Sequence, residues 1–347
     1  MSRLHFELRR RLSFALTFFI FVCINMAKRF AYKDLEGLLT SEDSFTESDE
    51  NSDFGSDDFE ESSEDEIRDE PSTTSDMWSF TPTAAREQFR FTGVPGVNIS
   101  ITDPDDVIGI FEQLSNDRIV ELIAEETNKY SEKKIQEATD SPLGLRKKSR
   151  MRSWKPTIPG EIRLLEGMFL LMGIVNKPTI QSFFSTNFLI KTPIFNEIMV
   201  RDRFLLLLSF LHFTSNENKT SKLYKIEQLL DLFRCSFRSA YTPSRNVSID
   251  ESLLLWKGRL SWRIFIPMKR AKFGIETFLV CEANTGYVYN FIIYTGKGTE
   301  IPINLDDVDP SRESHSTNIV LSLMEEFLDQ GYCLGIDNYY TSPDNYL

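Results

Sequence analysis

The hydrophobic period of the sequence changes close to Pro243, and this change limits the fold more than any other feature does. Upstream of it, Ile162, Leu165 and Phe169 recur at the spacing of one helix face. Downstream, apolar residues alternate with polar ones from Val247 onward, as they do in a strand with one buried face. The sequence therefore predicts helices first and a sheet afterwards.

The upstream part, residues 88–244, is predicted to be mostly helical. Beyond the segment around Phe169, helices are expected over 194–213 and 223–238, where apolar residues again fall three and four positions apart. His212, at the end of the first of these, is interpreted as a helix-packing residue and not as a ligand.

The downstream part, residues 245–347, is predicted to form an α/β sheet. Two β-rich runs, 278–281 and 287–294, are separated by a turn sequence that ends in Gly286 and is typical of a hairpin. A later strand is expected over 332–336, so the sheet combines a hairpin with a strand from further along the chain.

A predicted helix connects the hairpin to the last strand. Apolar residues over 319–330 have helical spacing, and Gly331 follows, which is the residue type favoured just after a helix. A strand that returns to its sheet through a helical crossover usually pairs in parallel with a neighbour. The fold class is therefore predicted to be α/β.

The acidic charge of the chain is concentrated in one segment. The formal net charge is −13 at pH 7, but residues 42–70 carry 15 acidic residues against the single base Arg68. The remainder is close to neutral, so the overall charge does not argue against a nucleic-acid partner. Residues 26–87 are predicted to be a disordered acidic segment, because so few apolar side chains cannot offset the entropy of ordering.

Residues 1–25 form an apolar N-terminal extension with two open interpretations. Three arginines precede the apolar run 12–26, which is the pattern of a secretory signal but is short for a membrane span. The sequence from Met26 onward looks like a second, ordinary translation start. The run is therefore either an upstream extension of the reading frame without a role in the fold, or a targeting or anchoring segment.

Cysteine and histidine are too sparse for several classes of site. The four cysteines include no C-x-x-C pair, so no zinc site is expected in this chain. Their low density also argues against a disulfide framework and fits a reducing compartment. Three histidines exclude a chemistry built on several imidazoles, and no small-molecule substrate is predicted.

Two carboxylates are predicted at strand ends. Asp250 and Asp337 each follow an apolar stretch. Carboxylates that converge at one edge of a sheet can hold hard cations such as Mg²⁺, and paired ions can activate a water or a 3′-hydroxyl and stabilise the leaving oxygen. An aspartate at such a position is also common in turns and helix caps, so both interpretations stay open.

Two basic tracts are candidates for binding nucleic acid. The first lies in a loop predicted over 139–160 and is also typical of a nuclear-import signal. The second is interleaved with Trp256, Trp262, Phe265 and Phe273, whose rings could stack on unpaired bases while the cations neutralise phosphates. The alternative is a hairpin with these aromatics in the core and its bases in solvent. The candidate DNA-binding residues are Arg146, Lys147, Lys148, Arg150, Arg152, Lys155, Lys257, Arg259, Arg263, Lys269 and Lys272.

A series of short motifs runs through the chain. In the helical part they are Glu126-Thr127-Asn128-Lys129-Tyr130, Trp154-Lys155-Pro156, Glu161, Met172-Gly173-Ile174 and Leu211-His212-Phe213. In the sheet part they are Ser248-Ile249-Asp250-Glu251, Lys257-Gly258-Arg259, Ile266-Pro267-Met268-Lys269, Lys272-Phe273-Gly274-Ile275, Tyr294-Thr295-Gly296-Lys297 and Asp337-Asn338-Tyr339-Tyr340-Thr341-Ser342. In this order and spacing, over roughly residues 88–347, the motifs resemble those of the piggyBac family of transposases and the proteins derived from them.

The resemblance implies a ribonuclease H-like catalytic domain that uses three aspartates and two Mg²⁺ or Mn²⁺ ions. Such enzymes cut DNA at transposon ends and join the freed 3′-hydroxyl to a TTAA target. By motif, Asp250 resembles the first aspartate and Asp337 the second, so both are the predicted catalytic and metal-binding residues. The region 88–244 resembles the family's dimerisation and DNA-binding part. DNA as partner, a homodimer and a nuclear location are implied as well.

The sequence also departs from the family pattern. The family's third aspartate lies well beyond the second, and this sequence ends at Leu347. We therefore expect an incomplete ribonuclease H-like domain, preceded by the helical dimerisation and DNA-binding region and the disordered acidic N-terminus, in a DNA-binding protein that does not cleave DNA by itself. The alternatives are a fragment of an active transposase and, if the run 12–26 is a targeting segment, a membrane-anchored or secreted interaction protein.

Overall fold

The fold is known from a computed structural model of the chain. It describes residues 90–100, 103, 106–142, 144–215, 221–256, 260–266, 272–296, 298–305 and 313–341. The N-terminal extension 1–25 and the acidic segment 26–87 lie outside the described residues, as do the candidate DNA-binding residues Lys257, Arg259 and Lys269.

Most helices precede the sheet, as the change of hydrophobic period predicted. They are α1 (Val107–Leu114), α2 (Asp117–Asp140), α3 (Pro159–Ile174), α4 (Ile180–Phe183), α5 (Pro193–Ile198), α6 (Arg201–Phe210), α7 (Glu227–Ala240) and, later in the chain, α8 (His315–Met324). Asn116 caps α2 by accepting a hydrogen bond from the Ile119 N–H, and Pro159 occupies the first turn of α3. Across the described ranges, no helix combines the length and the apolar character that a bilayer crossing requires.

Two predicted helix boundaries are wrong. The helix predicted over 194–213 is divided into α5 and α6, because Met199 and Val200 have extended backbone conformations. Met199 is nevertheless buried, so the apolar spacing continues across the break and hides it in the sequence. The helix predicted over 223–238 is α7, which begins only at Glu227, after a hydrogen-bonded turn.

Five of the strands form one sheet. The strands are β1 (Gly96–Val97), β2 (Tyr241–Thr242), β3 (Asn246–Leu255), β4 (Ile264–Phe265), β5 (Phe273–Glu282), β6 (Val288–Ile293) and β7 (Cys333–Gly335). β1 and β2 form a separate ribbon, whereas the sheet has the order β4-β5-β3-β7 with β6 also paired to β5. The predicted hairpin is β5–β6, and Gly286 in its turn has a φ of +69°, which a residue with a side chain rarely adopts.

The last strand returns through a helical crossover, as predicted. β3 pairs antiparallel with β5 but parallel with β7. α8, extended by a 3₁₀ turn (Glu325–Phe327), supplies the connection that parallel neighbours require. Gly331 follows this helical segment with a φ of +72°, the left-handed conformation in which glycine is favoured.

Both faces of the sheet are covered. On one face, Val247 and Ile249 of β3 share a core cluster with residues of α8. On the other, Ile275 and Phe291 belong to a larger cluster that includes the helices of the upstream part. The upstream helices end at Ala240 and the sheet begins at Asn246, and the larger cluster packs residues from both sides of residue 244 together.

Candidate metal centre and nucleic-acid interface

Asp250 lies in the middle of β3, so the prediction that it stands at a strand end is wrong. It pairs with Leu279 of β5. Three consecutive polar residues, Asp250, Glu251 and Ser252, resemble a strand end in the sequence, but the strand continues to Leu255. The Asp250 side chain is exposed, and its Oδ1 accepts a hydrogen bond from the Glu251 N–H at 2.8 Å.

Asp337 follows β7 and begins a 3₁₀ turn (Asn338–Tyr340). Its side chain is exposed, and its Oδ1 accepts a hydrogen bond from the Asn338 N–H at 2.6 Å. Asp337 was predicted at the carboxyl end of the last strand, and it lies there, just after the final ladder pair.

The parallel register brings the two aspartates to the same level of the sheet. Gly335, in the last ladder pair of β7, pairs with Ser248 of β3. Because parallel strands advance together, continuing this register beyond the last pair aligns Asp337 with Asp250. Two residues that are distant in the sequence therefore lie side by side, Asp250 in the middle of β3 and Asp337 just beyond the end of β7.

The two aspartates also share one face of the sheet. Leu334 and Ile336 pack against the cluster that contains Val247. Successive side chains alternate between the two faces of a strand. Asp250 and Asp337 have the opposite parity to these core residues, so both are assigned to the other face.

This donor set fits a single hard cation. Mg²⁺ is commonly held through one or two carboxylates and keeps several waters. Among the described residues, the carboxylate of each aspartate accepts only from the backbone N–H of the next residue, and no group of three or more His, Cys, Asp or Glu side chains suits a metal. Asp250 and Asp337 would be the residues that hold such an ion.

A hydrogen bond on the opposite face of the sheet links the residue that follows Asp250 to the turn that begins after Asp337. The Tyr340 hydroxyl donates to Glu251 Oε1 at 2.7 Å. Tyr340 is fully buried, at 0% exposure. Burial raises the pKa of Tyr340, and the contact with Glu251 raises it further, so the hydroxyl remains a proton donor. Nothing in the local sequence pattern marked this pair, because Glu251 lies in β3 and Tyr340 in a turn 89 residues later.

The first basic tract lies on the surface. The Arg152 guanidinium donates to the carbonyl oxygens of Leu145 at 2.6 Å and Arg146 at 3.0 Å, so it fastens its own loop. Arg150 is half-buried. The exposed bases of the tract are Arg146, Lys147, Lys148, Arg152 and Lys155.

Trp154 anchors this basic loop to the helices. Its ring packs edge-on against Phe210 at 4.8 Å between centroids, and the Arg203 guanidinium lies 4.6 Å from the ring centroid. Arg203 also donates to both carboxylate oxygens of Glu161, at 2.7 and 2.5 Å, and to the Lys155 carbonyl at 2.8 Å. Trp154 is thus occupied by packing, whereas the Lys155 side chain stays exposed. Arg203 was not predicted, since it lies outside every motif.

The motif of residues 126–130 contacts both the motif of residues 211–213 and Thr157, which follows Trp154-Lys155-Pro156. The Asn128 side chain donates to the Thr157 carbonyl at 2.9 Å and accepts from its N–H at 2.8 Å. Tyr130 stacks on His212 at 4.2 Å with an interplanar angle of 11°. Burial lowers the pKa of His212 to about 4, so the ring is neutral at pH 7. This geometry agrees with the predicted packing role of His212.

The second basic tract is partly a core element. Trp256 is 2% exposed and Trp262 5% exposed, and both belong to the larger hydrophobic cluster. The interpretation of these two rings as platforms for unpaired bases is therefore wrong. Arg263 lies 4.6 Å from the centroid of the Phe273 ring, and Lys272 is exposed. Among the described cations of this tract, Lys272 can face a ligand, while the two tryptophans support the sheet.

The chain resembles transposases in both sequence and fold. Residues 106–346 match the family model described as Transposase IS4. The human PiggyBac transposable element-derived protein 5 is 22% identical over an aligned stretch of 275 residues, and the match covers 71% of this chain and 50% of that protein. The cryo-EM structure of a piggyBac transposase synaptic complex with hairpin DNA is 21% identical, with a TM-score of 0.52 over 70% of this chain and 52% of that chain.

This chain spans about half the length of both relatives. The structural likeness shows a shared mixed α/β fold. Because the Transposase IS4 model covers more than half of the sequence, and because the relatives are piggyBac proteins, the chain belongs to the transposase family, as its motifs indicated.

Proposed function

We propose that this chain is a piggyBac transposase-derived, DNA-binding protein. Residues 245–347 form the first part of a ribonuclease H-like domain, and residues 88–244 form a helical dimerisation and DNA-binding region. The observation that carries the proposal is the parallel β3–β7 register, which, continued by two residues beyond its last pair, brings Asp337 level with Asp250 on one face of the sheet. Neither carboxylate contributes to the core, because both side chains are exposed.

The proposed DNA contacts are mostly to phosphates. Arg146 and Lys147 are exposed on a loop that Trp154 and Arg203 hold in place, so their charges are presented from a fixed support. Lysine and arginine on such a surface neutralise phosphates and release counterions. Binding is therefore expected to depend little on sequence and strongly on salt.

The matched test replaces two pairs of bases. In Arg146→Gln/Lys147→Gln, we expect the slope of log affinity against log salt for duplex DNA to become shallower by about 2. The control is Lys129→Gln/Lys134→Gln on α2, whose ammonium groups already pair with Glu126 and Glu137. An unchanged slope in Arg146→Gln/Lys147→Gln, or an equally shallower slope in the control, would contradict the assignment of the loop as a DNA contact.

The family chemistry is metal-dependent strand cleavage and transfer at TTAA sites, and Mg²⁺ or Mn²⁺ would supply the activation of water or a 3′-hydroxyl. Asp250 and Asp337 would hold the ion, with solvent completing its shell. Two carboxylates suit one cation, whereas paired ions need a larger shell. The proposal for this chain alone is therefore DNA binding without cleavage.

A nicking assay tests the proposed inactivity. The purified chain is incubated with a supercoiled plasmid that carries transposon-end and TTAA sequences, with Mg²⁺ or Mn²⁺. We expect the plasmid to remain supercoiled. Nicking or joining by the unmodified chain that disappears in Asp250→Ala would show that the centre is active and that the proposal of an inactive chain is wrong.

The second candidate function is strand transfer by a longer polypeptide that contains this region. It is favoured by the fact that the chain spans about half of each relative. The same assay on such a polypeptide discriminates the two, because only the transferase would join a 3′-hydroxyl end to a TTAA site. A homodimer and a nuclear location are proposed with either candidate, and light scattering and imaging of a tagged full chain test them.

A further inference from the structure

We propose that the hydrogen bond between Tyr340 and Glu251 sets the position of Asp337 relative to Asp250, so that Tyr340 and Glu251 are positioning residues of the metal centre. The inference rests on the proposed function, because it concerns the same two aspartates.

The β-ladder alone leaves Asp337 without a fixed place. The last ladder pair between β7 and β3 joins Gly335 to Ser248, and Asp337 lies beyond it. Ladder hydrogen bonds therefore hold the chain up to that pair and no further. The position of Asp337 depends on what holds the segment that follows.

The segment that follows is held at both of its ends. Asp337 caps the 3₁₀ turn (Asn338–Tyr340) at its start. Tyr340, the last residue of that turn, donates to Glu251, which follows Asp250 in β3. The chain is thus fixed to β3 on both sides of Asp337, by the ladder before it and by the hydrogen bond from Tyr340 to Glu251 after it.

The surroundings of Tyr340 make this link rigid. The ring is fully buried, at 0% exposure, and meets the Phe278 ring edge-on at 6.4 Å between centroids. A buried tyrosine hydroxyl needs a partner, and a carboxylate acceptor forms a short, charge-assisted bond. Because the ring cannot rotate without disturbing the core, the hydroxyl fixes the turn with little freedom.

Glu251 cannot easily share the role of Asp250. Successive side chains of a strand point to opposite faces. Glu251 therefore contacts Tyr340 in the core on one face, while Asp250 is exposed on the other. Glu251 therefore binds Tyr340, and the exposed carboxylate of Asp250 can bind a ligand. Outer contacts of this kind commonly change metal affinity by about 10–100-fold when removed.

The test measures Mn²⁺ affinity of the full chain, from free Mn²⁺ detected by electron paramagnetic resonance. Tyr340→Phe keeps the ring and the charge of the centre but removes the donor, and we expect Mn²⁺ affinity to fall by about tenfold or more. Glu251→Gln keeps a carbonyl acceptor for Tyr340, so we expect affinity within about threefold of the unmodified chain. Asp250→Asn should abolish binding.

A second readout separates positioning from general stability. Amide hydrogen exchange is measured for residues 337–341 and for α2 in the metal-free chain. We expect Tyr340→Phe to speed exchange in the first segment and leave α2 unchanged, because the turn loses its support while the helices keep theirs. Faster exchange throughout the chain would mean that Tyr340 only stabilises the fold, and it would overturn the proposal.

The outcomes distinguish this inference from the proposed function. If the unmodified chain binds no Mn²⁺, the proposed metal centre fails and positioning fails with it. If Asp250→Asn abolishes binding but Tyr340→Phe binds as tightly as the unmodified chain, the metal centre stands and only positioning is wrong. If Glu251→Gln weakens binding as much as Asp250→Asn does, Glu251 is itself a ligand, which also overturns its positioning role.

Discussion

Glu166 and Glu161 lie on the same helix, α3, but their pKa values shift in opposite directions. Glu166 is 1% exposed; Ser115 donates to its Oε1 at 2.9 Å, and its Oε2 lies 3.6 Å from Arg163 Nη1. Burial raises the pKa of Glu166 to about 7, although Ser115 and Arg163 oppose this shift. Burial also tends to raise the pKa of Glu161, but hydrogen bonds from Arg203 and Thr157 lower it overall.

The raised pKa predicts that Glu166 costs the fold stability at neutral pH. Because its folded pKa exceeds its ordinary value, the folded state holds more protons between about pH 4.5 and 7, and the free energy of unfolding falls as pH rises through that window. We expect Glu166→Gln to remove this pH dependence. The free energy of unfolding of the variant, relative to that of the unmodified chain, should therefore be higher at pH 8 than at pH 4 by on the order of 3 kcal/mol. Urea unfolding from pH 4 to 8 measures it.

Glu161→Gln is the control for Glu166. A lowered folded pKa contributes stability above the ordinary pKa, and that stability is lost as pH falls through the folded value. We therefore expect Glu161→Gln to lower the free energy of unfolding at pH 7. In acid, the free energy of unfolding of the variant should approach that of the unmodified chain. Parallel pH profiles for the two variants would contradict both assignments.

Arg203 makes contacts that lysine cannot reproduce. Its guanidinium reaches both oxygens of Glu161, the Lys155 carbonyl and the Trp154 ring together. A single ammonium group lacks this planar, forked geometry. We expect Arg203→Lys to lower the free energy of unfolding by about 1–3 kcal/mol in urea titrations.

Arg201, at the start of the same helix α6, provides the matched comparison. It pairs with the neighbouring Asp202 at 3.3 Å, and both side chains are exposed. Exposed pairs contribute little, so Arg201→Lys should change stability by less than about 0.5 kcal/mol. If the two substitutions cost the same, the buried contacts of Arg203 do not hold the basic loop.

At the scale of elements, two glycines separate backbone strain from close approach. Gly286 and Gly331 both have a φ near +70°. A Cβ on Gly286 would meet no atom within 4 Å, whereas one on Gly331 would lie 2.7 Å from backbone atoms of Arg90 and Phe91. We expect Gly286→Ala to cost about 1 kcal/mol of unfolding free energy and Gly331→Ala about 2–4 kcal/mol. Equal costs in urea titrations would contradict the close approach at Gly331.

The elements that the sequence predicted well are those with a strong period or a specific turn residue. The β5–β6 hairpin and the crossover that ends at Gly331 both have such signals. In the predicted helix 194–213, no sequence signal marks the break between α5 and α6, because Met199 has an extended backbone and is nevertheless buried. Hydrophobic period reports burial, so it cannot distinguish a continuous helix from two helices that bury the same face.

The candidate site shows a similar division. Asp250 and Asp337 were found from motifs, but their alignment follows from a ladder that a sequence does not display. Glu251 and Tyr340 were missed because their hydrogen bond joins a strand to a turn 89 residues further along the chain. The burial of Trp256 was left as one of two open alternatives, because aromatic residues suit a core and a stacking surface equally well.

At the scale of the whole molecule, the distribution of charge is expected to limit DNA binding. The net charge is −13, yet 15 acidic residues fall within 42–70, so the part of the chain that carries the basic tracts is close to neutral. The acidic segment lies outside the described residues, but its charge acts wherever it is within a Debye length, about 10 Å at 0.1 M salt, of the basic surface. Under the proposed DNA binding, such a segment would compete with the DNA phosphates for the same cations.

Replacing every Asp and Glu of residues 42–70 by Asn and Gln is therefore expected to raise DNA affinity. In fluorescence anisotropy with a duplex probe, the gain should be about tenfold at low salt and should vanish as salt screens the segment. A variant with the serines of the same segment changed to Asn keeps the charge and should bind as the unmodified chain does. A gain that persists at high salt, or that also occurs in the serine variant, would mean that the segment acts through something other than its charge. A salt-dependent gain confined to the neutralised variant would instead show that this chain restrains its own DNA binding electrostatically.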